Sequence, residues 1–420
     1  MTKCYSIDEI LLMSEMDDHV RSCPKCLARF KRKEEYDGLI PQEQNKLHTI
    51  LSTLKRERNL PTLQQELVAL PEAQRFTFLQ EKDAIVPGAV LIICKEAQRH
   101  HFISPKTSET WLLLARRILD ELQKSPVQFR PSDLQWMEAK YLLNQGNLHM
   151  VRGNIQEAHK HLISAYQLLD SIGDEFQQTF VIRSLLFTLT KTGRVLEAES
   201  LGLKALATLR AYDSKMERYW LLNNLALVQL AMGKTDRAEK IILLVMKYVN
   251  QDDEYYNLVI HNHVLIQMEK NNYGQALQAL FELRNISNKK NHVIEEVRTL
   301  IIQGEIHLLQ GHNEEALEIL SQAELIVKPL NILYDVALIQ AYTAKALTAL
   351  YKNQESIVLL QRAIAFFARE AYSLDLVQAL ELWEQAQQRS MKDLPTTART
   401  AFDTLPNLHR LTTPARFVAV

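Results

Sequence analysis

The chain has 420 residues, 47% hydrophobic and 24% charged, with 49 basic side chains against 50 acidic ones and a formal net charge of −1. That balance supplies no overall basic field, so it argues against direct nucleic-acid binding or recruitment to an anionic membrane surface. Length alone suits two or three domains or one elongated array, and only 11 glycines and 12 prolines leave room for long helices. The four cysteines make no disulfide framework and suit a reducing compartment. The longest apolar run, "AIVPGAVLIIC", is broken by Pro87 and falls far short of the ~20 residues that span a bilayer. No secretory pattern opens the chain, so the expected location is cytoplasmic.

The first element, residues 1–38, carries the densest chemistry: "HVRSCPKC", with His19, Cys23 and Cys26 at H-x3-C-x2-C spacing. Zinc takes four nitrogen or sulfur ligands, and sites closed by protein alone are structural. Cys23 and Cys26 share one tight turn, and His19 precedes them by one helical turn on the same face. Cys4 is the only other cysteine nearby. The segment "CYSIDEILLMSEMDDHVRSCPKCLARF" resembles the zinc finger of the anti-sigma factor family. That resemblance implies one zinc ion held by Cys4, His19, Cys23 and Cys26, and a sigma factor as partner. Fourteen residues separate Cys4 from His19, and an unbroken helix would hold them ~21 Å apart. Either the chain turns back near "SEMDD" or Cys4 is not a ligand. So small a module lacks a core of its own, so the metal would serve folding rather than catalysis.

Residues 39–96 read as a helical connector. The charged stretch from Leu27, broken near Gly38 and Pro41, suits either a helix that clasps a sigma factor, by the same resemblance, or a solvated linker. Further on, Cys94 in "VLIICKEA" reads as a buried apolar residue. Residues 97–388 read as the main body. It opens on an amphipathic cap helix, "ETWLLLARRILDEL", followed by "PSDLQW", where Ser132 or Asp133 would cap the next helix.

An internal repeat then sets the architecture between about residues 133 and 372. Gly153, Gly193, Gly233, Asn271, Gly311 and Tyr351 follow one another at steps of 40, 40, 38, 40 and 40. Each is followed five residues later by a small residue: Ala158, Ala198, Ala238, Ala276, Ala316 and Ser356. Small residues recur seven before the leader (Gly146, Ala226, Gly304, Ala344) and twelve after it (Ala165, Ala205, Ala323, Ala363). The leader supplies a tight turn between two antiparallel helices, and the small residues let those helices approach. Counted as positions 8, 15, 20 and 27 of a unit, the pattern resembles the tetratricopeptide (TPR) repeat, whose ordinary period is shorter. The longer period resembles that of the solenoids of maltose-type activators and peptide-sensing bacterial regulators. Leu186 and Val264 break the small-residue rule at position 8 and predict looser packing or a bend in their units. A closing helix, "LDLVQALELWEQAQQ", and an irregular tail over residues 389–420 complete the expected order. The fold class is all-α: a TPR-like superhelix preceded by a small zinc-binding helical domain.

The resemblance to TPR solenoids implies that positions 2, 5, 6 and 9 of each first helix face a concave groove. In the first three units these are Lys140, Leu143, Asn144 and Asn147, then Phe180, Arg183 and Phe187, then Trp220, Asn223, Asn224 and Leu227. The next two supply Leu258, His261, Asn262 and Leu265, then Arg298 and Glu305. Asn144, Asn224 and Asn262 share position 6, where an amide can both donate to and accept from an extended peptide's backbone. The aromatic side chains suit an apolar pocket and Arg183 a carboxylate. Nothing suggests an enzyme. The G-K-T of "MGKTDRAE" lacks the earlier glycine and preceding strand of a phosphate loop, and His261 and His263 lie on different helix faces. The expectation is a bacterial regulatory adaptor, anti-sigma-like at one end and binding a second protein or peptide in its groove. A TPR scaffold subunit with the finger as a structural cap is the alternative.

Overall fold

The computed structural model describes residues 22–26, 59–124, 129–250, 256–290 and 292–388. Cys4, His19 and the tail over 389–420 lie outside them. Apart from the short turns of 22–26, every element described is helical. Helix α1 covers 59–69, α2 Glu72–Glu81, α3 Pro87–His100 and α4 Pro105–Lys124. Six helix pairs follow: α5 (Pro131–Arg152) with α6 (Ile155–Ser171), α7 (Glu175–Lys191) with α8 (Val195–Ala211), and α9 (Lys215–Ala231) with α10 (Thr235–Met246). Then come α11 (Tyr256–Glu269) with α12 (Tyr273–Lys290), α13 (Val293–Leu309) with α14 (Asn313–Val327), and α15 (Leu333–Ala349) with α16 (Asn353–Arg369). Helix α17 (Ser373–Gln388) closes the stack.

The array is a TPR-like solenoid. All six leaders, Tyr351 and Asn271 included, adopt left-handed backbone conformations, which is how a helix ends abruptly and reverses. A second left-handed series, Gly173, Asp213, Asn331 and Ala371, marks the turns between units. Each first helix packs on its partner and, α11 against α13 excepted, on the first helix of the next unit, as stacked repeats do to bury their apolar faces.

The misfit at Leu186 has a compensating partner. In the first and fifth units a glycine at position 8 faces a leucine at position 24: a Cβ on Gly146 would meet Leu162 at 2.7 Å, and one on Gly304 would meet Leu320 at 2.9 Å. The second unit swaps the two sizes. Leu186 takes position 8, and Gly202 takes position 24 on α8, where a Cβ would come within 3.2 Å of Leu186. Leu186 and Val264 are themselves fully buried. The expected cap at Ser132 or Asp133 is displaced. Pro131 already occupies the first helical position, where its missing N–H costs nothing, and Asp133 instead accepts from Arg130.

Helices α1 to α4 share one core with Met137, Tyr141 and Leu148 of α5. Trp111 lies inside it with the Arg75 guanidinium 3.8 Å over its ring. Helix α3 runs across the boundary drawn at residues 96 and 97.

The superhelix is wound tightly enough to meet itself. Val151 and Ile155 belong to the core of the C-terminal units, and the turn at Gly153 abuts the start of α15. A Cβ at Gly153 would lie 2.9 Å from the Tyr334 nitrogen, whereas one at Gly173 would meet nothing within 4 Å. Both are left-handed, at φ 84° and 72°. Gly173→Ala should therefore cost only the left-handed penalty of ~1–2 kcal/mol, and Gly153→Ala a further ~1 kcal/mol or more from overpacking. Urea melts of the two variants check this; equal losses would remove the close approach.

Candidate functional site

Closure of the turn bounds a concave lumen of about 220 Å³ that stays partly open to solvent. Its wall is built from α5, α7, α9, α11 and α13, from the end of α3 and the turn after it, and from the start of α17. Asn147, Arg183, Phe187, Trp220, Asn223, Asn224, His261 and Asn262 line it, as do Leu227, Leu258, Leu265, Arg298 and Glu305. Asn144 and Phe180 do not. Asn144 is buried and donates to the Lys140 carbonyl of its own helix at 2.9 Å. Phe180 packs edge-on against Phe176, with the Lys140 ammonium 5.0 Å from its ring. Lys140 and Leu143 also lie off the lumen lining.

The asparagines behave differently from expectation. Asn224 donates to the Arg183 carbonyl at 2.7 Å, and Asn262 donates to the Asn223 carbonyl at 3.3 Å and to its side-chain oxygen at 3.0 Å. In each case a position 6 amide bonds the position 5 residue of the preceding unit. Ser184, at position 6 of the second unit, donates to Asn147 at 2.8 Å. These groups are struts between neighbouring first helices, a use that buried amides find readily.

Sequence reasoning missed two sets of wall residues. Met150, Val151, Thr190, Lys191, Leu230, Ala231, Met268 and Glu269 occupy positions 12 and 13. They continue the same helical face one turn beyond position 9, so periodicity alone could have found them. Gln98, His101, Phe102, Leu374 and Asp375 come from outside the repeats, and only the closed turn brings them in.

Charge at the wall is concentrated where the ends meet. Lys191 lies 3.4 Å from Asp375 and donates to the Tyr334 hydroxyl. Arg298 lies 3.3 Å from Asp335 and 3.9 Å from Glu295. Burial pushes Lys191 down, although Asp375 opposes this. Burial pushes Asp335 and Glu295 up, against the pull of Arg298. His101, buried beside His100, falls to about 4 and is neutral at physiological pH. The rest of the lumen is chiefly apolar. The lumen is thus a concave, chiefly apolar surface with a few placed polar groups.

At the N-terminal end, Cys26 is buried and Cys23 half-buried, and neither is in a disulfide. Two thiols three residues apart in short helical turns suit two ligand positions of a tetrahedral site. Their expected partners Cys4 and His19 lie outside the described residues. Among the described residues, no three His, Cys, Asp or Glu side chains form a metal site, and no helix is long and apolar enough to cross a membrane. Cys94 is buried as expected, its thiol pushed up to about 12 by burial.

No family model matches the sequence, and no curated protein matches it. Solved structures do. A Rap protein complexed with competence and sporulation factor aligns at a TM-score of 0.51 with 11% identity, covering 80% of this chain and 99% of that one. Aspartyl phosphate phosphatase F from Bacillus subtilis gives a TM-score of 0.45 with 12% identity over 100% of both chains. NprR in complex with its cognate peptide NprX gives 0.40 with 12% identity, over 89% of this chain and 99% of that one. At these identities the likeness is one of fold.

Proposed function

We propose that this protein is a non-enzymatic regulatory adaptor whose lumen takes an extended peptide, free or as a segment of a protein partner. The observation that carries this is the wall itself: Phe187, Trp220, Leu227, Leu258 and Leu265 from three successive first helices form an apolar surface, bordered by Arg183 and by the charged groups at the closure. An extended chain presents alternating side chains along such a surface, with little folded bulk to exclude it. The Rap protein of the same fold was solved with competence and sporulation factor, which supports a ligand held by an array of this kind. Display of random linear peptides tests the proposal. Enriched sequences should lose binding to Phe187→Asp, which sets a charge on the apolar wall, by about tenfold or more. Peptides that bind both proteins equally would move the site away from the lumen.

In the same proposal the N-terminal segment holds one structural zinc through Cys4, His19, Cys23 and Cys26, and presents an anti-sigma-like surface to a sigma factor. The spacing of His19, Cys23 and Cys26 supports the zinc; the resemblance supports the partner. Purified protein should carry about one zinc per chain, and Cys23→Ser should lose it with the solenoid's helicity nearly intact, because the array has its own core. Metal analysis and circular dichroism check both; no zinc in the unsubstituted protein would remove the finger.

A further inference from the structure

The two ends of the array meet in a seam where an apolar contact, Val151 and Ile155 within the core of the C-terminal units, runs beside a buried polar clasp. On one side stand the turn after α3, the turn between α5 and α6, and the end of α7. On the other stand the starts of α13, α15 and α17 and the end of α16. Across it, Lys191 reaches Asp375 at 3.4 Å and donates to the Tyr334 hydroxyl, which donates to Asp375 at 3.1 Å. Gln156 donates to the Arg369 carbonyl at 2.6 Å, and the Ile294 N–H reaches the Phe102 carbonyl at 3.4 Å. The Lys191 and Asp375 side chains are only 4% and 2% exposed, and both also face the lumen.

We propose that the Lys191–Tyr334–Asp375 clasp is the gate of the lumen: the superhelical turn parts there to admit a ligand and recloses behind it. The proposal rests on the lumen being the binding site. Two arguments locate the gate. The first is continuity. Elsewhere around the lumen, each first helix is followed along the chain by its unit's second helix and then by the next first helix, and neighbouring units share an apolar core. At the seam no chain crosses: Lys191 and Asp375 stand 184 residues apart. The second is energetic. Parting two neighbouring units exposes the apolar core they share and breaks the struts between their first helices. At the clasp, an ammonium and a carboxylate lose hydration on closing, which offsets most of their attraction. Both recover water on opening. The wall therefore parts at the seam before it parts between units.

Access to the lumen can be read without knowing the ligand. Ala231→Cys places a thiol on the lumen wall, and its modification is followed by mass spectrometry at that residue. Two probes are compared, N-ethylmaleimide and a maleimide carried on a bulky polymer. Lys191→Met should raise the bulky probe's rate about tenfold, the size of change expected when one or two kcal/mol of closure are lost, while the small probe's rate stays nearly constant. Adding Asp375→Leu gives an apolar pair that should close the seam again, because such pairs replace buried ion pairs without loss, and the rate should return to that of the parent. Equal bulky-probe rates in all three proteins overturn the gate. Hydrogen exchange on the unsubstituted protein decides independently if a variant folds poorly. The Ile294 amide should exchange faster than the amides in the middle of α9. Exchange of Ile294 only at the rate of global unfolding overturns the proposal. The probe is not the ligand, so a wrong gate and a wrong binding site would fail separately.

Discussion

Arg298→Met is expected to lower stability by about 3–5 kcal/mol near neutral pH, the usual result of removing one partner from a buried ionic group. The Arg298 Nε lies 3.3 Å from Asp335 and its Nη1 3.9 Å from Glu295, and all three side chains are at most 3% exposed. The guanidinium also lies 5.9 Å over the Phe102 ring, which ties it to the seam. Methionine keeps most of the volume and none of the charge, so two buried carboxyls remain, each raising the affinity of the other's environment for a proton. Burial already holds both carboxyls above their ordinary values, and Arg298 is the chief opposing influence. A carboxyl whose folded value is raised binds more protons folded than unfolded, so stability falls as pH rises from the ordinary carboxylate range, ~4, through the raised value. Loss of Arg298 extends that window upward. The deficit of the variant should therefore be larger at about pH 8 than at about pH 5, where protonation removes much of the charge that Arg298 serves. Urea melts at the two pH values measure it. A deficit under ~1 kcal/mol, or one independent of pH, would mean that water reaches this cluster.

The repeat was legible because its markers are set by local backbone geometry. A left-handed leader and a small residue beneath a crossing helix are demanded by each unit alone, so they recur in the sequence at the spacing of the fold. Even Tyr351, the poorest match, adopts the leader's conformation at φ 61°. The swap of Leu186 with Gly202 was hidden for a simple reason. Volume is conserved across a pair of helices rather than at a position, and a rule written for position 8 sees half of the pair. The asparagine struts were hidden because an amide at a groove-facing position has the same sequence signature whether it bonds a ligand or the helix beside it. The closure was the least visible feature. It depends on the accumulated rotation of six units, and Lys191, Tyr334 and Asp375 carry no spacing that relates them. The lumen's outer wall, Phe102 to Asp375, was therefore beyond reach of any periodic argument, although the inner wall of α7, α9 and α11 was not.

Leu227→Pro should cost ~3 kcal/mol or more, and the pattern of the damage matters as much as its size. Residue 227 lies well inside α9 (Lys215–Ala231). Proline there deletes one helical hydrogen bond and drives its ring against the carbonyl four residues earlier. That carbonyl belongs to Asn223, which also accepts from Asn262 of the next unit at 3.3 Å, so the substitution breaks a strut as well as a turn. The kink is passed in both directions, to α7 through the Asn224 bond to Arg183 and to α11 through Asn262. Because repeats touch chiefly their neighbours, protection from hydrogen exchange should fall most over α7 to α12. An open solenoid would spare everything further away. This one is closed, so a kink in α9 tilts α7 and pulls Lys191 from Asp375 and Tyr334. A second, smaller loss of protection is therefore expected at the starts of α13, α15 and α17, with the N-terminal core around Trp111 unaffected. Uniform loss along the whole chain would instead describe a single cooperative globule. Loss confined to α9 and its immediate partners would show that the seam yields without resistance to a change in the turn it closes.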